Sequence, residues 1–277
     1  MDSPTSRRVR MERRQWSRLA CVAILMSVPA ACTSVPRSFH PAEPIAQAEF
    51  SHRAFDELLR VHVSDGIVDY PSIQGDPRFA ATIVQLDRVD PNGLPTDEAR
   101  LAFWINAYNA FAIKGILDGY SPATLAGRYR YFIATDYRVG GEMINLYDLE
   151  RKLLIPEFRE PRIHFAIVCA SQSCPKLRAE AYVPEKLREQ LEQGGRAFIN
   201  DPTRNRFDRE NKVAYLSKIF EWFEEDFAAH AGSLLSYVRR YVNDPELAAD
   251  LATQPYRIEF LDYDWRLNGK EPDARPS

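Results

Sequence analysis

The longest apolar segment of the chain, Leu101–Gly119, predicts a helix that is buried on nearly every face. Apolar side chains recur at helical spacing around its circumference, and only Lys114 and Asp118 near its end are expected to reach water. Thr96, followed by two acidic residues, is a favourable N-cap. Amide and charged side chains interrupt the segment too often for a membrane span. We therefore expect the fold to be organised around this helix.

Two carboxamides, Asn106 and Asn109, lie on the predicted buried helix. A buried amide needs hydrogen-bond partners, because leaving it unpaired costs free energy. Either the two amides tie loops to the helix, or one of them lines a binding site. We keep both as candidate binding residues.

Shorter patterns predict helices and strands on either side of the central helix. Helical spacing or helix-start signals predict helices at residues 48–63, 76–86, 146–154, 184–198 and 234–242, with another beginning near Asp244-Pro245. Alternating or continuous apolar runs predict strands at residues 131–139, 142–145, 162–169, 207–216 (a hairpin) and 256–263. Helices followed by mixed strands and helices favour an α+β fold, with the central buried helix packed on a mainly antiparallel sheet. We expect one domain over residues 46–268 and a flexible tail over residues 269–277.

The N-terminus has the composition of an export signal. Six arginines precede the apolar run Leu19–Val28, and small residues lead to Cys32. This order of basic, apolar and small residues predicts a signal peptide at residues 1–31, followed by a tether at residues 32–45. Ala30-Ala31-Cys32 resembles a bacterial lipobox, which predicts lipidation of Cys32; ordinary cleavage after Ala30 or Ala31 is the alternative. Either route takes the mature protein to the periplasm or the outer membrane, with Cys32 as the membrane anchor in the first case.

Charge and motif content narrow the remaining function classes. The net charge of −3 gives no indication of nucleic-acid binding. The five histidines lack the spacing of a zinc-binding helix, and no phosphate-binding glycine loop or serine elbow occurs. We therefore predict no metal, no cofactor and no nucleic-acid partner.

Cys169 is the leading candidate nucleophile, with His164 as its base. Cys169 ends the predicted buried strand and precedes a polar loop, and a thiolate needs a base or a positive neighbour to form at neutral pH. On a regular strand the odd spacing places the two side chains on opposite faces, so their pairing needs a bulge or turn. The alternatives are a buried thiol beside a structural histidine, or a Cys169–Cys174 disulfide in an oxidising compartment.

Several blocks of the chain resemble the family known as domain of unknown function 547 (DUF547). The blocks are DGIVDY (65–70), FWINAYNAFAIK (103–114), HFAIVCASQSCPKLRAEAY (164–182), LSKIFEWFEEDF (216–227) and YDWRLN (263–268). The resemblance implies a papain-like or transglutaminase-like fold and, in bacteria, a secreted protein. Relatives often read Ile-Glu-His where this chain has Leu149-Glu150-Arg151, so a histidine is absent here. Transglutaminase-like enzymes carry their thiol at the start of the central helix, and this helix has none.

Further candidate binding residues are Tyr108 and Lys218 in these blocks, and Glu150 at the position where relatives often read Ile-Glu-His. Lys218 and Glu221 form either a polar pair beside the site or an ion pair in solvent.

The candidate residues and the family resemblance are compatible with two functions. The first is a thiol hydrolase or acyl-transferase of the cell envelope that acts on a small-molecule or peptide-like amide. The second is a non-catalytic binding or scaffold lipoprotein of the same fold.

Overall fold

The computed structural model describes residues 38–272, which form a mixed helix and sheet fold of the predicted α+β class. The predicted signal peptide, the lipidation residue Cys32 and residues 273–277 lie outside the described residues. Among residues 38–272, no helix combines the length and the apolar character needed to cross a membrane.

Helices make up most of the regular structure and occur along the whole described chain. The α-helices are α1 (Arg53–His62), α2 (Tyr70–Gln74), α3 (Pro77–Arg88), α4 (Asp97–Leu117), α5 (Leu125–Tyr129), α6 (Leu146–Asp148), α7 (Ile155–Phe158), α8 (Leu187–Ile199), α9 (Lys218–Trp222), α10 (Glu224–Ala231), α11 (Leu234–Arg239) and α12 (Pro245–Thr253). The π-helical turns Arg130–Ala134 and Leu149–Leu154 continue α5 and α6, and 3₁₀ turns lie at Gln47–Glu49, Pro91–Gly93, Pro161–Phe165 and Pro184–Lys186.

The strands form three small sheets rather than the one mainly antiparallel sheet that the sequence predicts. The strands are β1 (Val63–Ser64), β2 (Ile67–Asp69), β3 (Asp136–Val139), β4 (Glu142–Asn145), β5 (Arg206–Asp208), β6 (Val213–Leu216), β7 (Arg257–Phe260) and β8 (Gly269–Lys270). The sheet orders are β1-β2-β8, β3-β4 and β5-β6-β7, and the β2-β8 and β6-β7 pairs are parallel. Each strand is at most four residues long, so none extends across the whole core.

The central helix α4 is where the sequence predicts it, and it is the most buried element. Every residue from Leu101 to Ile113 is buried. Thr96 caps the first turn by accepting a hydrogen bond from the Ala99 N–H at 3.1 Å, which satisfies one of the donors left free at a helix start. Lys114 pairs with Asp118 at 2.7 Å near the end of the helix.

The predicted strand at residues 162–169 is wrong. Pro161–Phe165 forms a 3₁₀ turn, and the residues after it are irregular although buried. The side chain of Asn109 takes the place of a neighbouring strand: its amide donates to the Ala166 carbonyl at 3.0 Å and accepts from the Val168 N–H at 2.9 Å. Because this partner satisfies the buried backbone, the apolar run stays in the core without joining a sheet.

The chain does not become loose at residue 269, where the tail was predicted to begin. Gly269 and Lys270 form β8, which runs parallel to β2 with Gly269 opposite Val68. The preceding Asn268 donates its N–H to the Ala170 carbonyl at 3.1 Å. Residues 268–270 are therefore held between β2 and the loop that follows Cys169.

Buried apolar side chains form two clusters. One surrounds α4, and the other is an aromatic cluster built around Phe165, Phe220, Phe227 and Tyr237. Tyr263 packs against both clusters. The candidate site described next lies beside this tyrosine.

Candidate active site

A cavity of about 350 Å³ lies where the two clusters meet, and it contains most of the predicted site residues. It is lined by side chains from α4, α5, α6, α9, their neighbouring turns and the segment after β7. Tyr129, Ile133, Tyr147 and Trp222 on its wall are all exposed large apolar residues. An apolar cavity with a few polar groups is the usual form of a small-molecule site.

Stacked aromatic rings form one wall of the cavity. The rings of Trp222 and Trp265 are 5.8 Å apart and 28° from parallel, and Tyr263 lies 4.8 Å from Trp222 and 4.5 Å from Trp265. The Arg128 guanidinium lies 4.5 Å from the centre of the Trp265 ring. This wall offers flat apolar surface with a cation at its edge.

His164 is buried, lines the cavity and is oriented by Asp226. Its Nε2 lies 2.8 Å from the Asp226 carboxylate, and its ring packs against Phe223 with centroids 3.8 Å apart. Because a carboxylate accepts, Nε2 carries a proton, and in the neutral ring Nδ1 carries the lone pair. Nδ1 has no hydrogen-bond partner among residues 38–272. This arrangement holds the histidine in one orientation with its second nitrogen unpaired.

Glu150 supplies a carboxyl group to the same cavity. Burial raises the pKa of Glu150, while Arg151 and His164 act in the opposite direction. Tyr108 on α4 directs its hydroxyl toward the Glu150 carboxylate at 3.5 Å, and burial also raises the pKa of Tyr108. The Arg151 guanidinium lies 4.1 Å from the centre of the Phe223 ring. Arg151 therefore packs on an aromatic ring of the cavity wall.

Cys169 and Cys174 form a disulfide, with α-carbons 6.2 Å apart, on the cavity wall. The Tyr263 hydroxyl lies 3.2 Å from both sulfur atoms, and the Ser171 hydroxyl lies 3.1 Å from Cys169 Sγ. Of the alternatives that the sequence left open, the disulfide is the one present in this structure. In this state Cys169 is not a free nucleophile.

Four of the predicted site residues share the cavity: Tyr108, Glu150, His164 and Cys169. The structure does not join the proposed catalytic pair by a hydrogen bond. Cys169 Sγ contacts hydroxyl groups, whereas His164 contacts Asp226. The two side chains meet only as parts of one cavity wall.

The other three predicted binding residues lie elsewhere. Asn106 and Asn109 are absent from the cavity wall, because both amides are engaged by backbone groups of other segments. Lys218 is half-buried and pairs with Glu221 at 2.6 Å, so it adopts the ion pair that was the alternative interpretation.

Sequence reasoning missed Asp226 and the aromatic wall. Asp226 is 62 positions from His164. Asp264 and Asn268, which follow β7, do not orient the histidine, because Asp264 pairs with Arg266 and Asn268 accepts from the Tyr70 hydroxyl. The sequence signal that could have found these residues was the family resemblance of blocks 216–227 and 263–268, which contain Asp226, Trp222, Tyr263 and Trp265.

A larger depression of about 700 Å³ lies on another part of the surface. Its basic side chains are all paired with acids, in the pairs Arg60–Asp56, Lys176–Asp65, Arg178–Glu180 and Arg204–Asp201. Across the described residues, no group of three or more histidine, cysteine or acidic side chains is arranged to hold a metal ion. The smaller cavity is therefore the better candidate, since it joins an oriented histidine, a carboxyl group and two sulfurs.

The fold and site thus define an α+β protein with an aromatic-lined cavity beside a disulfide. Residues 91–199 match the model of a family described as "Protein of unknown function, DUF547", so this segment of the chain is similar to that family. The matched segment contains Tyr108, Glu150, His164 and both cysteines of the disulfide. Searches of curated proteins and of solved structures gave no match.

Proposed function

We propose that this protein is an exported thiol hydrolase or acyl-transferase with a papain-like or transglutaminase-like arrangement, active when the Cys169–Cys174 disulfide is reduced. The observation that carries the proposal is His164. Asp226 holds one ring nitrogen, the other is unpartnered, and the ring lines the same cavity as Cys169. A nucleophile, a base and a carboxylate that orients the base are the parts required for acyl transfer.

Each residue has a defined role in this reaction. His164 accepts the thiol proton of Cys169, and the resulting thiolate attacks the carbonyl carbon of an amide. The bond to the leaving amine breaks as His164 passes the proton to that amine, which leaves the acyl group on Cys169 as a thioester. Water, or an acceptor amine, then attacks the thioester and gives up a proton through His164 to the sulfur, so the C–S bond breaks, the acid or new amide is released and the thiol is restored. His164 and Cys169 are not hydrogen-bonded in the oxidised protein, so their contact requires rotation of the freed Cys169 side chain. Catalytic hydrogen bonds are often long before substrate binds.

The aromatic wall supports a preference for substrates with an apolar or aromatic group next to the amide. Trp222, Tyr263 and Trp265 supply flat contact surface, and the cavity volume of about 350 Å³ suits a single side chain or acyl group. Glu150, whose pKa is raised by burial, supplies a carboxyl group that donates a hydrogen bond when protonated.

The proposal is tested by the reactivity of Cys169 in reduced, full-length protein. Iodoacetamide labelling between pH 5 and 9, followed by peptide mass analysis, should show Cys169 reacting about tenfold or more faster than free cysteine near neutral pH. His164→Ala should abolish this advantage, and Asp226→Asn should reduce it while keeping the ring in place. His230→Ala changes an exposed histidine and serves as the control. Reactivity equal to that of free cysteine and indifferent to His164 would remove the thiol-enzyme proposal.

A non-catalytic binding protein is the second candidate, and the closed disulfide favours it. In the oxidised form Cys169 lacks a free thiol, yet the aromatic cavity remains. This candidate predicts that oxidised protein binds an apolar fluorescent probe such as anilinonaphthalene sulfonate and that Trp222→Ala weakens binding. It also predicts that reduced protein cleaves no member of an amide and ester panel, whereas the enzyme proposal predicts cleavage that Cys169→Ser abolishes.

A further inference from the structure

The two sulfurs of the Cys169–Cys174 disulfide are in different surroundings. Cys169 is partly exposed on the cavity wall, whereas Cys174 is only 3% exposed. An incoming thiolate can therefore reach one sulfur more easily than the other. Attack at Cys169 makes Cys174 the leaving group, and the groups around Cys174 decide how readily it departs.

Two hydrogen-bond donors are directed at Cys174. The backbone N–H of Cys169 lies 2.9 Å from Cys174 Sγ, and the Tyr263 hydroxyl, which lies 3.2 Å from both sulfurs, donates to Cys174 Sγ. Ser171 in turn donates to the Tyr263 oxygen at 3.1 Å. Hydrogen bonds to a developing thiolate favour its charged form, so this relay stabilises the leaving sulfur.

The loop that carries the disulfide is anchored on both sides. Gln172 N–H donates to the Arg266 carbonyl at 2.8 Å, and the Arg204 guanidinium donates to the carbonyls of Gln172 and Cys174 at 2.9 Å. These bonds do not involve the sulfur atoms, so they persist when the disulfide opens. The two thiols then remain close together and can close again.

From this asymmetry we propose that the Cys169–Cys174 pair is a thiol–disulfide exchange centre that accepts electrons from a dithiol through Cys169. One thiolate of the dithiol attacks Cys169 Sγ, the S–S bond breaks, and its electron pair goes to Cys174, which takes a proton through Tyr263. The second thiolate of the dithiol then attacks the other dithiol sulfur, which is bonded to Cys169 in the mixed disulfide. This step closes the dithiol into a disulfide and releases the Cys169 thiolate. In sum, the dithiol loses two electrons and two protons, and the pair gains them.

This activity needs no acyl substrate and stands apart from the proposed hydrolysis, although it would release the nucleophile that hydrolysis requires. The dithiol enters past Tyr129, Tyr147 and Trp222, which are exposed aromatic residues on the cavity wall. A dithiol flanked by apolar groups therefore fits this approach better than a highly charged one.

Single-cysteine variants of the full-length protein test the direction of attack. With oxidised glutathione as the probe, Cys169 in Cys174→Ser should form the mixed disulfide at least tenfold faster than Cys174 in Cys169→Ser, as measured by peptide mass analysis. Equal rates, or faster reaction at Cys174, would overturn the proposed entry point.

The donor role of Tyr263 is tested separately in the oxidised wild-type background. Tyr263→Phe should slow reduction by dithiothreitol about tenfold and alter the pH profile of the rate, while Tyr215→Phe, a half-buried tyrosine on β6, should not. Thermal unfolding of each variant separates this effect from a loss of folding. A disulfide that is reduced only when the protein unfolds would identify a purely structural bridge. Dithiothreitol carries no acyl group, and with oxidised glutathione the product measured is the mixed disulfide, so failure of exchange and failure of hydrolysis are distinguished.

Discussion

Asn106 and Tyr182 are joined by two hydrogen bonds across 76 positions of the chain. The Asn106 amide donates to the Tyr182 carbonyl at 2.7 Å and accepts from the Tyr182 N–H at 2.9 Å. The side chain on α4 thus satisfies both backbone groups of a buried residue, as a neighbouring strand would. Asn109 does the same for Ala166 and Val168, so one face of the central helix holds two irregular segments in the core.

Replacing Asn106 by leucine should destabilise the protein by about 1–3 kcal/mol, because it leaves a buried N–H and a buried carbonyl unpaired. The leucine has a similar size, so little of the effect comes from a cavity. Chemical denaturation monitored by circular dichroism measures the loss. Asn243→Leu at an exposed position is the control and should change stability little. An unchanged midpoint for Asn106→Leu would contradict the double hydrogen bond.

Glu150 should make stability fall as pH rises. Burial raises the pKa of Glu150 above its ordinary value of 4.5, so the folded state binds more protons than the unfolded state at pH values just above 4.5. The free energy of unfolding contributed by this group therefore decreases as pH rises from 4.5 through the raised pKa. Glu150→Gln cannot titrate and should lose this decrease.

The measurement for Glu150 is the difference in unfolding free energy between wild type and Glu150→Gln at several pH values from 4 to 8. The difference should move in favour of the variant as pH increases. Glu210→Gln, at an exposed position, should show no such trend. A pH-independent difference would mean that the carboxyl group of Glu150 is well hydrated.

Gly269→Ala tests whether the C-terminal segment is part of the folded structure. A Cβ at this position would lie 2.1 Å from the Val68 carbonyl oxygen, which is closer than atoms can pack, so β8 would be displaced from β2. Overpacking of this kind costs about 1–3 kcal/mol. Gly75→Ala is a matched control, since a Cβ there has no atom within 4 Å. Equal stability of the two variants would support the flexible tail that the sequence predicts.

Cys32→Ser tests the predicted lipid anchor, which lies outside the described residues. In cells fed labelled palmitate, the wild-type protein should incorporate label and fractionate with membranes. The variant should do neither, because the lipidated sulfur is missing. Label that persists in Cys32→Ser would rule out the lipobox assignment, and an unlabelled, fully soluble wild type would indicate ordinary signal-peptide cleavage.

Sequence patterns correctly predicted those helices and hairpins that are determined by residues close together in the chain. The central helix follows from its apolar sequence and the Thr96 cap, and the β3-β4 hairpin follows from Gly140-Gly141, both of which have positive φ angles. The apolar run 162–169 was misassigned because a buried irregular segment and a buried strand have the same composition. What decides between them is the Asn109 side chain, 57 residues away from Ala166.

The site was predicted in part for the same reason. Tyr108, His164 and Cys169 fall in the recognised blocks, and they share one cavity with Glu150. Asp226 and Tyr263 come from distant parts of the chain, and no spacing rule relates them to His164 or Cys169. The family resemblance identified their segments, but only the three-dimensional structure assigns their partners.

The position of β8 has a consequence for the order in which the protein matures. Tyr263 and Trp265 complete the cavity, and their segment is fixed by contacts with residues 170–173 and with β2. During synthesis these residues leave the ribosome after all the other residues that line the cavity. A nascent chain therefore has a half-built, open site, and the cysteines meet their hydroxyl partner Tyr263 only after the segment that follows β7 has been synthesised.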